Sequence, residues 1–187
     1  MANTMSNYYL GIDPGSNGGL AALDKDGKVF ALTRMPSSPE EILAWFKMFT
    51  DLQCYAMLEQ VSGYIGEAHP GSIMFEFGRG YGGLEMALVA SGFVHLKDVS
   101  RYNVFIDVWD HVPPQRWQRG LQLRTKVKGE TDTSWKGYLK DEASKLFPRI
   151  KVTKATADAL LLSHYCRLHK QGKVKVQTSI EVTELSV

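Results

Sequence analysis

The chain is 187 residues long, with 44% hydrophobic and 22% charged residues, the proportions of one soluble globular domain with a substantial buried core. That composition excludes a disordered or fibrous chain. No apolar run approaches the roughly 20 residues of a membrane span, and the polar start, Met1 to Tyr9, lacks the apolar stretch of a secretory signal. The expectation is an intracellular protein with no membrane partner. Cys54 and Cys166 are too few for a disulfide framework or a cysteine metal site and read as buried free thiols.

The formal net charge of +2 conceals an uneven distribution. Between Pro113 and Lys154 stand eleven lysines and arginines against four acids, a net of +7, which leaves −5 over all other residues. A basic segment set against an acidic remainder points to a polyanionic partner, although a solvated lysine-rich surface has the same composition.

In chain order, Tyr8 to Ile12 is an apolar run ended by Asp13-Pro14-Gly15-Ser16, Gly18 to Leu23 is a second run, and Asp24 to Gly27 turns the chain into a third, Lys28 to Thr33. These are three strands joined as hairpins. Ser38 caps a helix opened by Pro39, with Glu41 at the capping-box position and Ile42, Leu43, Trp45, Phe46 and Phe49 on its apolar face. Cys54 to Leu58 is a fourth strand that delivers Glu59 at its end, most simply parallel to the first. Val61 to Gly71 reads as a loop, and Ser72 to Ala90 as a helix weakened by Gly78, Gly80, Gly82 and Gly83. Val104 to Val108 is the candidate fifth strand, Pro113-Pro114 opens a short helix to Leu121, and Arg124 to Thr133 is a basic loop. Helices over Trp135–Phe147 and Thr156–Lys170 follow, the second ended by Gly172. The plan is α/β: one domain over residues 1–170, and a loosely held tail over 171–187.

Asp13 and Glu59 each stand where a strand runs out. If those strands are parallel neighbours, the carboxylates emerge together at the edge where open α/β sheets bind ligands. Carboxylates are hard oxygen ligands suited to Mg²⁺ or Mn²⁺, and paired ions serve phosphodiester cleavage. A strand-end acid equally serves as a turn former or cap. Asp158 lies in Ala157-Asp158-Ala159-Leu160 near a helix start, where it either stabilises the helix N-terminus or, flanked by buriable residues, needs a partner or a metal.

Gly11-Ile12-Asp13-Pro14-Gly15, Leu58-Glu59-Gln60-Val61 and Ala157-Asp158-Ala159-Leu160 resemble the three acidic motifs of RuvC-type Holliday junction resolvases, in the same order. Met74 to Gly82, Val112 to Gln118 and Lys140 to Pro148 resemble bacteriophage-type members, so the resemblance spans roughly residues 8 to 170. It implies a ribonuclease H-like fold, with a five-stranded mixed sheet (three antiparallel strands, then parallel ones) flanked by helices. It also implies a homodimer, Mg²⁺ or Mn²⁺ as cofactor, and paired nicks in four-way or other branched DNA. Asp13 would be the ligand shared by two ions, with Glu59 and Asp158 completing the catalytic and metal site. One departure stands out: relatives carry a further acid three or four residues before the last motif acid, and here those positions are Ala155 and Lys154. Three carboxylates with water, a distant acid, His164, or an impaired site are the ways to account for it, although His164, six residues and about 240° around the helix from Asp158, reads as structural.

For DNA the candidates are Arg79, Arg116, Arg119, Lys126, Lys128 and Lys136 on phosphates, and Lys154 at the scissile phosphate or merely solvated. Tyr64, in the loop after Glu59, is placed either to stack on crossover bases or simply to pack. The Ser72–Ala90 helix, with Met74, Phe75, Phe77, Leu84, Met86 and Leu88, is the candidate dimer face, unless those residues are core. Two other classes remain open: a catalytically impaired junction-binding protein, and an actin-like ATPase or kinase, whose phosphate loop Gly11 to Ser16 with Gly18-Gly19 also resembles.

Overall fold

The computed structural model describes residues 7–50, 52–61, 70–101 and 107–174. Strands β1 (Asn7–Asp13), β2 (Gly19–Leu23) and β3 (Val29–Arg34) form the expected antiparallel meander, and α1 (Pro39–Lys47) follows with the Ser38–Glu41 capping box in place. Strand β4 (Gln53–Glu59) pairs parallel to β1, with Ile12 opposite Leu58, so Asp13 and Glu59 come next on adjacent strands. Helix α2 (Gly71–Ala90) leads to a two-residue strand β5 (Val94–His95), a 3-10 segment Leu96–Arg101, and strand β6 (Val108–Val112). Helices α3 (Pro114–Gly120), α4 (Asp132–Leu146) and α5 (Lys154–Lys170) complete the described chain.

The sheet has six strands in the order β3-β2-β1-β4-β6-β5, one more than the sequence predicts. The predicted fifth strand overlaps the observed β6 only at Val108; positions 102–106 lie outside the described residues. The strand that pairs with β4 carries Asp110 and His111 between its buried Val108, Trp109 and Val112. Those two polar residues hide it from a search for continuous apolar runs. Helix α4 begins three residues ahead of the predicted start because Thr131, not a residue nearer Trp135, accepts the capping bond from Ser134 N–H.

Alternation along the strands sorts the core into two layers. Tyr9, Met57 and Val112 face α3, α4 and α5, whereas Leu10, Ile12, Ala56 and Leu58 face α1 and α2. By the same two-residue period Asp13 and Glu59 fall on the α5 side. Helix α5 lies directly on β1: a Cβ at Gly11 would stand 2.2 Å from the Ala159 carbonyl oxygen, and the Ser163 hydroxyl donates to the Tyr9 carbonyl at 2.7 Å. Only a residue without a side chain allows that approach. Both cysteines are buried free thiols. Among the described residues no helix is long and apolar enough to cross a membrane.

Candidate metal centre

The C-terminal ends of β1 and β4 and the first turns of α5 deliver Asp13, Glu59 and Asp158 to one point, with one carboxylate oxygen from each lying within 4.8 Å of the others. Asp13 and Asp158 are buried, each 5% exposed. Burial, reinforced by the Asp158 charge, pushes the carboxyls of Asp13 and Glu59 above their ordinary range, and burial does the same to Asp158. Like charges this close favour a shared proton between them. Trp117, fully buried at the centre of α3, donates its indole N–H to Glu59 Oε1 at 3.0 Å and fixes that carboxylate's rotation. The Tyr81 hydroxyl, from α2, donates to the Glu59 carbonyl at 3.3 Å.

Asp158 Oδ1 is buried and has no hydrogen-bond partner among the described residues. A buried acceptor without a partner costs about 1–3 kcal/mol, more when charged. A divalent cation removes that cost, and three hard carboxylates are the donor set that Mg²⁺ or Mn²⁺ takes. The residues therefore fit such an ion.

Lys136, predicted on DNA phosphates, lies against two of the acids. From α4 its ammonium lies 2.5 Å from Asp158 Oδ2 and 3.5 Å from Asp13 Oδ2. Burial by itself would lower the lysine pKa, but Asp13 and Asp158 together hold it raised. The packing of Trp135, Leu139 and Ala143 against α5 turns Lys136, next to Trp135 in the helix, toward the acids. No local pattern signals this, because the partners lie 123 and 22 residues away in sequence.

The other predicted cations are more dispersed. Lys126 is paired with Asp132, Arg79 with Glu76 at 2.5 Å on the exposed face of α2, and Arg116 with the Tyr165 hydroxyl, seven residues and about 10 Å along α5 from Asp158. Arg119 and Lys128 are exposed. Lys154, in the first turn of α5, donates to the Thr133 carbonyl at 3.2 Å. Together with Asn17, Arg34, Thr133, Thr153 and Lys136 it lines a cleft of about 470 Å³ beside the acids. Arg34 and Asn17 were not singled out by the sequence, being isolated polar residues at strand ends. Tyr64 lies outside the described residues.

No described acid takes the place of the residue missing at Ala155 and Lys154. His164 does not take it either: its ring packs edge-on against Phe147, and burial lowers its pKa to about 4. On α2, Leu84 and Leu88 are core, which removes them from the predicted dimer face. Phe75 and Met86 are 69% and 65% exposed.

No protein-family model and no curated protein matches the chain. Solved structures do. The chain is similar to Thermus thermophilus RuvC with a TM-score of 0.54 and 15% identity, over 90% of this chain and 98% of that one. It is also similar to T. thermophilus RuvC in complex with Holliday junction substrate, with a TM-score of 0.53, 12% identity and the same coverage. The yeast mitochondrial Holliday junction resolvase Ydc2 aligns at a TM-score of 0.38 and 15% identity, over 87% of this chain and 78% of that one. The fold is the ribonuclease H-like fold of RuvC.

Proposed function

We propose that the chain is a divalent-metal-dependent, structure-selective endonuclease that resolves four-way or other branched DNA by paired phosphodiester nicks. The carrying observation is the convergence of Asp13, Glu59 and Asp158, one of them with an unpartnered buried oxygen, on a RuvC-like fold. One of the similar structures is RuvC bound to a Holliday junction, which supports branched DNA as the substrate class.

Asp13, Glu59 and Asp158 would hold Mg²⁺ or Mn²⁺. Such an ion activates water and stabilises the leaving oxygen in phosphodiester hydrolysis. The protein supplies orientation. Trp117 keeps Glu59 turned into the cluster, and ligation of a cation would require Asp13 and Glu59 in their carboxylate forms. The cleft of Arg34, Lys154 and Asn17 seats the backbone beside the cut phosphodiester, and Arg119, Lys126 and Lys128 hold phosphates farther out, giving steep salt dependence. Arg79 and Lys126 exchange exposed ion pairs for phosphate at little cost, since such pairs contribute about 0–1 kcal/mol. Symmetric nicking needs two active sites. The helical stripe Phe75, Gly82, Met86 and Val89 on α2 is our candidate for the homodimer contact.

Cleavage of a labelled four-way junction with Mg²⁺ or Mn²⁺, beside an Asp13→Asn control, tests this reading. Paired nicks that vanish in the control are expected. Tight junction binding without nicking in either metal would instead leave a junction-binding protein, the reading that the missing fourth acid and the Lys136 ion pair favour. Equal cutting of linear duplex would remove junction selectivity and keep the nuclease.

A further inference from the structure

We propose that Lys136 is a built-in cation of this site, its ammonium between Asp13 and Asp158 supplying positive charge that a second divalent ion would otherwise bring, so that each site takes a single ion. The inference rests on the metal-nuclease reading above and says how that site is charged.

Three observations carry it. First, Nζ of Lys136 contacts one oxygen of each acid, Asp13 Oδ2 and Asp158 Oδ2, at 3.5 Å and 2.5 Å, and so occupies the edge between two carboxylates that come from different elements. Second, the unpartnered oxygen of Asp158 is the other one, Oδ1. The carboxylate is thus divided between a cation already supplied by the chain and a vacancy in its hydrogen bonding that suits one ion. Third, the positions on α5 one turn before Asp158 are Lys154 and Ala155, and no further described acid joins the cluster. A second ion would lack a fourth carboxylate among the described residues and would be repelled by the ammonium.

Charge decides between the alternatives. Three carboxylates and one ammonium leave two net negative charges, which one divalent ion neutralises. A second ion would leave two uncompensated positive charges in a buried site, where Coulomb terms are weakly screened. The side chain of Lys136 is 36% exposed and lines the cleft, within reach of a phosphate seated there. A lysine lost from the outer phosphate contacts is thereby gained at the scissile group.

The test is Mn²⁺ binding to the full chain, read by calorimetry and by the electron paramagnetic resonance of the bound ion, with Lys136→Met and Lys136→Arg beside the wild type. Circular dichroism checks that each variant is folded. We expect one Mn²⁺ per wild-type chain with the spectrum of an isolated ion, and the same stoichiometry in Lys136→Arg. Lys136→Met should bind its first ion at least about tenfold more tightly, because a like charge has left the site. Two ions per wild-type chain with a spin-coupled spectrum would overturn the proposal and leave the nuclease reading intact, as would unchanged affinity and stoichiometry in Lys136→Met. If the wild type binds no Mn²⁺ while still binding a four-way junction, the metal-nuclease reading fails and takes this proposal with it.

Discussion

Helices α2 and α5 are of similar length, 20 and 17 residues, yet they are used in opposite ways. Helix α2 is the more apolar, with three charged residues, and buries only Leu84, Ala87 and Leu88. Helix α5 carries four charged residues and two histidines and buries ten of its residues, Asp158 and Ser163 among them. Apolar content therefore does not decide which helix becomes core. What decides is the surface each meets: α5 lies across β1 and β2 over Gly11, whereas α2 packs chiefly on α1 through Leu84, Ala87 and Leu88 and leaves Phe75, Met86 and Val89 in solvent. The buried helix carries the acid, and the apolar exposed helix has surface to spare for a partner.

The largest expected effect falls on the buried helix and its acids. Asp13→Asn or Asp158→Asn should lower junction cleavage by about 10³-fold or more, since loss of a ligand removes several kcal/mol of transition-state stabilisation. Junction binding in a gel-shift assay should survive. Equal loss of binding would show the acids to be structural.

Next comes the contact beneath them. Gly11→Ala drives a Cβ into the α5 backbone, where no flexible side chain can yield, and should destabilise the fold by about 3 kcal/mol or more in urea denaturation. A loss below about 1 kcal/mol would mean that α5 is free to lift off β1, and the contrast between the helices would weaken.

The pH dependence follows from the raised carboxyls of Asp13, Glu59 and Asp158. A carboxyl raised on folding contributes stability that is complete below its unfolded value, near 4, and is lost as pH rises through the folded value. The metal-free protein should therefore melt lower at pH 8 than at pH 5.5, and Mg²⁺ should restore the difference at pH 8. Conversely, Mn²⁺ affinity should fall by about tenfold per pH unit for each proton displaced as the solution is acidified through that range. A pH-independent affinity would show the three acids ionised before the metal arrives.

The smallest effects belong to α2. Phe75→Ser with Met86→Ser should leave the melting temperature within a few degrees while abolishing self-association in sedimentation. A variant that unfolds instead would make this face core. A Cβ at Gly78 or Gly82 meets nothing within 4 Å, so each Gly→Ala change should stabilise the isolated chain by about 0.5–1 kcal/mol. If Gly82→Ala also weakens self-association, the partner comes close to the helix at that point.

Much of this was legible in the chain itself. The meander, the Ser38 cap and the parity of β1 and β4 are written in local residue patterns, and parity is enough to put Asp13 and Glu59 on one face once the strands are adjacent. Strand β6 was misplaced because Asp110 and His111 break its apolar run, and its pairing with β4, not its own composition, makes it a strand. The Trp117 bond to Glu59 left no trace in the sequence, since 58 residues separate the two.

By itself, then, the sequence determined the meander, β4 and the helices, the alternation that aims the acids, and the three motifs that resemble a resolvase, because each depends on neighbours a few residues apart. Tertiary structure alone decided that the Lys136 ammonium lies against Asp13 and Asp158, and that α2 keeps its apolar stripe exposed. Both depend on how α4, α5 and the sheet stack, and a stacking energy is a property of surfaces that meet across a hundred residues of chain.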